Sequence, residues 1–249
     1  MTTQQSLQGK AAFVQGGSRG IGAAIVKRLA HDGASVAFTY VSSDEKAQAL
    51  VKSIEATGGK ALAIKADSAD ESSVRSAIDN AAQAFGKIDI LVNNAGVLAF
   101  GELDALTIDD FDRTIAVNVR SVFVASQQAA RHMPDGGRII TIGSTNADRI
   151  PFQGGAVYAM SKSAIVGLTK GLARDLGPRG ITVNNVQPGP VDTDMNPADG
   201  EMAEGMLSFM ALDRYGKDSE IAGFVAYLAG PEAGYITGSS LTIDGGFAA

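Results

Sequence analysis

The chain has 249 residues, 45% of them hydrophobic and 19% charged, and 27 acidic against 21 basic residues give a formal net charge of −6. This much apolar material is sufficient for a large core, which excludes global disorder. The acidic balance argues against a nucleic-acid-binding protein, because such proteins need basic surface to neutralise phosphates. The absence of cysteine excludes disulfides, thiolate metal sites and cysteine nucleophiles.

The sequence also bears on where the protein works. No uncharged stretch approaches the roughly 20 residues that span a bilayer. Met1–Gly9 lacks the charged start and apolar core of a signal peptide. We therefore expect a cytoplasmic protein without a membrane partner.

Apolar β-rich runs alternate with helical patterns along the whole chain. The predicted strands are Lys10–Gln15, Ala34–Tyr40, Lys60–Ala66, Ile88–Asn93, Arg138–Ile142, Ile181–Val186 and Ser240–Ile243. The predicted helices are Gly20–Asp32, Asp44–Thr57, Asp70–Phe85, Ile108–Met133, Ala156–Leu176 and Ser219–Ala229. The first four strands are nearly continuous apolar runs, which is typical of strands covered by helices on both faces. The pattern predicts an α/β doubly wound parallel sheet (a Rossmann fold) in three layers.

No linker, repeat or break in composition divides the chain, so we predict one domain over residues 1–249. One segment, at about residues 192–212, departs from the alternation of strands and helices. It contains four of the seven methionines, Met195, Met202, Met206 and Met210. The segment is either a mobile lid with adaptable apolar contacts or a small helix packed on the core.

A glycine-rich turn, Gly16-Gly17-Ser18-Arg19-Gly20-Ile21-Gly22, joins the first strand to the first helix. Glycine permits a tight turn and lets backbone amides approach a pyrophosphate at a helix N-terminus. Ligands of such sheets bind at the carboxyl ends of the strands, which is where this turn lies. The turn therefore predicts a dinucleotide site.

The same residues match the G-x-S-x-G nucleophile elbow of hydrolases, with Ser18 as the nucleophile. A hydrolase triad needs a histidine, and the chain has only His31 and His132, both in helical patterns. The hydrolase alternative is therefore disfavoured.

The residues after the second strand favour NADP(H) over NAD(H). An NAD site carries an acid about 20 residues beyond the glycines, whereas here Tyr40, Ser42 and Ser43 precede the first acid, Asp44. Arg19 in the glycine turn can pair with a 2′-phosphate. Tyr40 can stack on that guanidinium or on adenine, and the two serines can donate hydrogen bonds. The alternative is that Arg19 is simply a solvated loop residue.

Tyr158 and Lys162 lie four residues apart on a predicted helix, so both side chains reach the same ligand. A tyrosine pKa near 10 is too high for proton transfer at neutral pH. We expect the Lys162 ammonium to stabilise the phenolate and lower this pKa. A shift of about three units corresponds to roughly 4 kcal/mol.

Further polar residues follow predicted strands in the order typical of one enzyme family. Asp67 follows the third strand, Asn93–Gly96 closes the fourth, Asn118 lies in the next helix, Ser144 ends the fifth strand, and Pro188-Gly189 follows the sixth. Together with the glycine turn and the Tyr158/Lys162 pair, these motifs resemble the short-chain dehydrogenase/reductase family over nearly the whole chain.

The resemblance implies a role for each residue. Tyr158 would exchange a proton with the substrate oxygen held by Ser144, while Lys162 orients the nicotinamide ribose and Asn118 holds a relay water. The other cofactor contacts that the resemblance and the glycine turn imply are Gly16, Ser18, Gly20, Ile21, Asp67, Ser68, Asn94, Ala95, Gly96, Pro188, Gly189, Val191 and Thr193.

Two positions depart from the family pattern. Gln15 stands where threonine is usual, which we expect to alter a hydrogen bond between strands. Gly143 stands where many relatives carry a small polar residue. Among the acids, Thr107 to Asp110 fits a helix start. Asp192 and Asp194 fit loop charges better than a metal pair, so no metal site is predicted.

The resemblance implies an NADPH-dependent reductase of a small or medium ketone, and a homotetramer with the Tyr158 helix at a dimer seam. One alternative is reduction of 3-oxoacyl groups on acyl-carrier protein. The other is a non-catalytic family member that binds cyclic di-GMP and regulates biofilm dispersal, a resemblance carried by Gly177-Pro178-Arg179-Gly180 and Val186–Pro197.

Overall fold

The computed structural model describes residues 6–249. The strands are β1 (Ala11–Gln15), β2 (Ser35–Tyr40), β3 (Lys60–Lys65), β4 (Ile90–Asn93), β5 (Arg138–Ile142), β6 (Thr182–Pro188), β7 (Val191–Asp192), β8 (Gly216–Lys217) and β9 (Ser240–Ile243). Seven of them form one sheet in the order β3-β2-β1-β4-β5-β6-β9, and every neighbouring pair is parallel. The predicted doubly wound sheet is confirmed. Strands β7 and β8 form a separate two-stranded sheet.

Helices cover both faces of the large sheet. They are α1 (Gly20–His31), α2 (Asp44–Glu55), α3 (Glu71–Phe85), α4 (Ile108–Ile115), α5 (Ser121–His132), α6 (Ala156–Leu176), α7 (Ala203–Leu207) and α8 (Asp218–Ala229). Side chains of α1, α2 and α8 belong to one apolar cluster, and side chains of α3, α5 and α6 belong to a second.

Strand β1 shows why the sheet separates two cores. Val14 contributes to the α1 side and Phe13 to the α3 side, and neither side chain is exposed. Successive side chains of a strand point to opposite faces, so a strand between two helical layers buries the side chains of both faces, and most of those in β1 are apolar. This requirement explains the continuous apolar runs in the sequence.

The predicted helix Ile108–Met133 is interrupted by a π-helical turn at Ala116–Arg120, between α4 and α5. The predicted region is helical over nearly its whole length, but the π turn divides it into two α-helices. A π turn inserts an extra residue and rotates the following side chains relative to the preceding ones. Asn118 lies within the turn and is buried. The start of α4 agrees with the sequence, because Thr107 and Asp110 form a capping box there.

The segment at residues 192–212 contains a short helix, α7, whose first residue, Ala203, is buried. Met195 and Met202 are exposed. The structure thus contains the small helix that was one of the two alternatives for this segment.

Two observations concern the membrane and the start of the chain. None of the helices within residues 6–249 combines the length and the apolar character needed to cross a membrane. The prediction about a signal peptide concerns Met1–Gly9, and residues 1–5 lie outside the described part of the chain.

Candidate active site

The glycine turn between β1 and α1 is tightly packed against itself. Gly16 and Gly20 have φ values of 67° and 50°, which disfavour residues with a side chain. A Cβ on Gly22 would lie 2.1 Å from the carbonyl oxygen of Gly16. Within the described part of the chain, no side chain caps the N-terminus of α1, where Arg19 is the N-cap residue. The uncapped amides and the close backbone suit a pyrophosphate.

Neighbouring strands hold this turn in place. Asn94 at the end of β4 donates from Nδ2 to the carbonyl oxygens of Gln15 (3.2 Å) and Gly16 (2.8 Å). Thr39 of β2 accepts a hydrogen bond from the Gly16 amide at its Oγ1 (2.9 Å) and one from the Gly17 amide at its carbonyl oxygen (2.9 Å). The turn is therefore fixed before any ligand arrives. Ser18 is half-buried in the turn, and Ile21 packs on the core below it.

The end of β2 differs from the expectation for Tyr40. The Tyr40 ring is buried in the α1-side core, and its hydroxyl donates to Asp44 Oδ1 at 2.5 Å. This hydrogen bond raises the pKa of Tyr40. The ring therefore does not stack on Arg19, which corrects the sequence-based expectation. Ser42 is exposed and Ser43 half-buried.

The adenine end of the predicted site follows β3. Asp67 accepts a hydrogen bond from the Ala69 amide (2.9 Å), which shapes the turn before α3, and the neighbouring Ser68 is buried. Because β3 and β2 pair in parallel, these residues lie at the same sheet edge as the glycine turn.

Asn118 connects three parts of the site. Its Oδ1 accepts from the Val97 amide (2.9 Å), and its Nδ2 donates to the Val97 carbonyl (2.9 Å) and to Ser161 Oγ (3.0 Å). A Cβ on Gly96 would lie 3.6 Å from Asn118 Oδ1 and 3.7 Å from Lys162 Nζ. The segment Ala95–Gly96 therefore runs directly past the polar atoms of both side chains.

Ser144, Tyr158 and Lys162 lie together where β5 ends and α6 begins. Lys162 Nζ donates to the Ile142 carbonyl (3.0 Å) and lies 5.5 Å from the centroid of the Tyr158 ring. Ser144 accepts at Oγ from the Asn146 amide (3.1 Å) and donates to Asn146 Oδ1 (3.3 Å), and its hydroxyl acts to lower the pKa of the neighbouring Tyr158. The structure therefore brings together the predicted proton donor, the group that would hold the substrate oxygen, and the ammonium.

Burial shifts the pKa values of Lys162 and Tyr158. It lowers the pKa of Lys162 from its usual 10.5 to about 8. It raises the pKa of Tyr158 above 10, and the hydrogen bond with Ser144 offsets part of that rise. The expected lowering of the Tyr158 pKa does not occur in the free protein, because burial disfavours the charged form of both groups.

The segment after β6 completes the cleft. Pro188 accepts at its carbonyl oxygen from Thr145 Oγ1 (3.2 Å). A Cβ on Gly189 would lie 2.8 Å from Asp244 backbone atoms, so only glycine fits there. Val191 is buried, and the Thr193 methyl lies 3.4 Å from the Cβ position of Gly20. The chain thus crosses over the glycine turn.

Sequence reasoning missed several contributors to this site. Ser161 is fully buried, accepts from Asn118, and donates to the Tyr158 carbonyl (2.6 Å). Thr39 was also not predicted, although it accepts a hydrogen bond from the glycine turn next to the buried Gln15. The departure at Gly143 has a steric reason, because a Cβ there would lie 2.3 Å from Asn185 Oδ1. Apart from the Ser161–Tyr158 hydrogen bond within α6, these contacts join distant parts of the chain, so no local sequence pattern predicts them.

The two histidines and the acids after β6 make contacts outside the catalytic cluster. His31 lies 3.0 Å from Asp32, and His132 lies 2.6 Å from Asp79. Each histidine is engaged on a helix rather than with the serine of the glycine turn. The Asp192 carboxylate accepts from a backbone amide six residues later (3.0 Å), and Asp194 pairs with a lysine of α2 (3.0 Å). These contacts give both acids a structural role.

Comparison with known proteins agrees with this geometry. A family profile described as enoyl-(acyl carrier protein) reductase matches residues 16–248. A solved short-chain dehydrogenase/reductase from Serratia marcescens is 70% identical with a TM-score of 0.97, covering 98% of this chain and 100% of the other. The chain belongs to the short-chain dehydrogenase/reductase family. It is an oxidoreductase of that family.

Related structures have been solved with a bound nicotinamide cofactor. A short-chain dehydrogenase from Burkholderia cenocepacia, solved in complex with NADP, is 61% identical with a TM-score of 0.97 and covers 98% of this chain and 100% of its own. The uncapped α1 amides and the glycine turn fit this dinucleotide.

Two relatives of this chain have different functions. The cyclic-di-GMP-binding biofilm dispersal mediator protein of Escherichia coli is 52% identical over 97% of this chain and 98% of its own length. A 3-oxoacyl-[acyl-carrier-protein] reductase of Staphylococcus aureus is 41% identical over 95% of this chain and 97% of its own length.

The low pKa of Lys162 predicts a pH dependence of stability. Its pKa of about 8 in the folded protein lies below its unfolded value of 10.5, so the unfolded state binds more protons between these values and stability rises with pH in that window. Between about pH 8 and 10 we expect the free energy of unfolding to rise by roughly 2 kcal/mol relative to Lys162→Met. Urea unfolding of the cofactor-free wild type and of Lys162→Met, at equal protein concentration and at several pH values, measures this difference. A difference that stays constant with pH would contradict the assignment.

Proposed function

We propose that this short-chain dehydrogenase/reductase uses NADPH to reduce a small or medium ketone to an alcohol. The observation that carries the proposal is the cluster of Ser144, Tyr158 and Lys162 at the mouth of the cleft, with Asn118 behind it. A tyrosine that keeps its proton at neutral pH, beside a hydroxyl and a buried ammonium, is suited to protonate a carbonyl oxygen.

Each side chain has a distinct role in the proposed reaction. When bound, the reduced nicotinamide would supply the hydride that the carbonyl carbon receives. Ser144 Oγ donates a hydrogen bond to the substrate oxygen, and Tyr158 Oη transfers its proton to that oxygen as the C–O π electrons move onto it. Lys162, which also orients the nicotinamide ribose, stabilises the resulting phenolate, because an ammonium favours the charged form of a neighbouring acid.

Proton return to Tyr158 requires a route from solvent. Lys162 Nζ and Asn118 Oδ1 both lie within 4 Å of the Cβ position of Gly96. We propose that Asn118 holds a water there and that the proton passes from this water through Lys162. In the cofactor subsites, Asp67 and Ser68 take the adenine, Asn94, Ala95 and Gly96 line the ribose, and Val191 and Thr193 take the carboxamide.

The entrance to the cleft is apolar, which favours an apolar ketone. Phe100 and Phe152 form a tilted aromatic pair with ring centroids 5.9 Å apart. Carbon atoms of the two rings lie 3.2 and 3.1 Å from the Cβ positions of Gly154 and Gly155, directly before α6. Leu98, Ile150, Met160 and Met202 are exposed on flanking segments. The charge of the protein does not favour a substrate carried on acyl-carrier protein. An acidic partner is attracted to basic surface, whereas this protein carries a net charge of −6.

Tyr158→Phe tests the proposed acid. We expect the rate of ketone reduction to fall at least about a thousandfold, because the proton donor is lost, while NADPH binding stays within twofold. Tyr235→Phe is the matched control, since Tyr235 is fully exposed. NADPH oxidation across a panel of ketones gives the rate, and fluorescence titration gives the binding. Retained activity in Tyr158→Phe would eliminate Tyr158 as the acid.

A regulatory function is the second candidate, favoured by the 52% identity to the cyclic-di-GMP-binding protein. The same wild-type preparation is titrated with cyclic di-GMP during the ketone screen. Tight binding of cyclic di-GMP together with no turnover of any ketone would replace the reductase proposal with this one.

Phe152→Ala tests the apolar entrance. We expect the KM for acetophenone to rise about tenfold, because an aromatic contact is lost, with a much smaller change for 2-butanone. Phe152→Leu keeps most of the apolar volume of the side chain. Its KM for 2-butanone should equal that of the wild type, whereas its KM for acetophenone should lie between those of the wild type and Phe152→Ala. Equal effects on the two ketones would place Phe152 outside the substrate site.

We also propose that the protein works in the cytoplasm as a homotetramer with α6 at a dimer seam. Met160 on α6 and Phe111 and Phe123 on α4 and α5 are exposed apolar side chains, and such residues are typical of association surfaces. Light scattering should give four times the chain mass of 25.6 kDa. A monomer mass would refute the assembly.

A further inference from the structure

Residues 244–249, which we call the post-β9 segment, form a tight turn around one carboxylate. Asp244 directly follows β9, and its two carboxylate oxygens accept from the amides of Gly246 (2.9 Å) and Ala248 (2.8 Å). Gly245 and Gly246 have φ values of 63° and 81°, a conformation that glycine adopts readily. The turn directs Phe247 inward, where its side chain is buried.

The post-β9 segment packs against the α7 segment, which we define as residues 203–212. The ring of Phe247 makes an edge contact with the ring of Phe209, with the centroids 6.2 Å apart and the planes at 87°. The Leu212 amide donates to the carbonyl oxygen of Gly245 (2.9 Å). The position of the α7 segment therefore depends on the post-β9 segment.

Arg149 connects the post-β9 segment to the loop that follows Ser144. Its Nη1 donates to the carbonyl oxygens of Phe247 (2.6 Å) and Ala249 (3.0 Å). Its own carbonyl oxygen accepts from Asn146 Nδ2 (3.1 Å), and Asn146 in turn is hydrogen-bonded to the Ser144 hydroxyl through its amide and its Oδ1. A continuous chain of contacts thus runs from the Ser144 hydroxyl to the post-β9 segment.

The post-β9 segment also borders the cleft directly. The Cβ position of Gly189 lies 2.8 Å from backbone atoms of Asp244. The preceding residue, Pro188, accepts at its carbonyl oxygen from Thr145, the residue after Ser144. The contact made by Arg149 therefore lies beside the wall of the cleft that carries Ser144, and not on a remote surface.

We propose that Arg149 is a positioning residue for the proposed ketone reduction, because it holds the post-β9 segment, and with it the α7 segment, against the loop that follows Ser144. A charged donor makes stronger hydrogen bonds than a neutral one, which suits Arg149 to this role. Cleft walls that are ordered before the ketone arrives lose less conformational entropy when it binds. Arg149 does this without touching the substrate or the cofactor.

Hydrogen exchange of the full chain, read by mass spectrometry of peptides, tests the contact without any substrate. In Arg149→Gln, peptides from the α7 segment and from the post-β9 segment should exchange about tenfold faster than in the wild type, because these segments open locally more often. Peptides from α3 should stay within twofold, which separates a local opening from a general loss of stability.

Two further arginine variants are the controls for this measurement. Arg149→Lys keeps a charged donor but loses the planar guanidinium, so its exchange rates should lie between those of the wild type and Arg149→Gln. Arg174→Gln changes an exposed arginine in the last turn of α6 and should match the wild type in every peptide.

Kinetics of the same variants tests the consequence for the reaction, and this part of the inference rests on the proposed reductase function. Arg149→Gln should raise the KM for acetophenone about tenfold while kcat stays within threefold, because the walls of the cleft must then be ordered when the ketone binds. Arg149→Lys should recover part of the KM, and the affinity for NADPH should stay within twofold in both variants.

Three results would overturn the proposal. The first is unchanged exchange of the α7 segment in Arg149→Gln, and the second is an equal increase in α3, which would mean a general role in stability. The third is faster local exchange with an unchanged KM, which would mean that the contact does not serve the reaction. If the wild type reduced no ketone, the reductase function would fail and the role in the reaction with it, whereas the exchange rates would still show whether Arg149 fixes the α7 segment.

Discussion

The polar residues of the active site lie together because the parallel strands of the large sheet end at one edge. In a parallel ladder, each strand delivers the residue after it to the same edge as its neighbours do. The register places Gln15 beside Asn93, Asn93 beside Thr141, and Thr141 beside Asn185. The glycine turn, Asn94, Ser144 and Pro188 follow these positions. A slip of one strand would separate the cofactor cradle from the catalytic cluster.

Burial is the second constraint, and it acts on Tyr158 and Lys162 in the same sense. Both groups are disfavoured in their charged forms, so the pKa of the acid rises and that of the ammonium falls. The attraction between phenolate and ammonium exists only after the proton has left Tyr158. In the proposed reaction, Lys162 therefore stabilises the negative charge that develops on Tyr158 rather than the resting protein, and stabilisation of this kind accelerates a step.

The mouth of the cleft has a different character at each end. One end is bordered by the Phe100–Phe152 pair and exposed aliphatic side chains, and the other by Arg19, Lys46 and Asp194. The segment that contains Thr193 and Asp194 crosses the glycine turn between them.

The sequence by itself determined the fold class, the edge of the sheet that binds ligands, and the Tyr158/Lys162 pair, because these depend on local periodicity and spacing. The apolar runs of β1, β2 and β4 indicated strands buried on both faces, as the structure has them, and a four-residue spacing on a helix places two side chains on the same side. Tertiary structure alone decided the contacts between distant segments. It placed Asn118 in a π turn against Ser161, buried Tyr40 instead of stacking it on Arg19, paired Phe100 with Phe152, and joined Lys46 to Asp194. These contacts depend on how helices and loops pack across the sheet, and no local pattern in the chain encodes that packing.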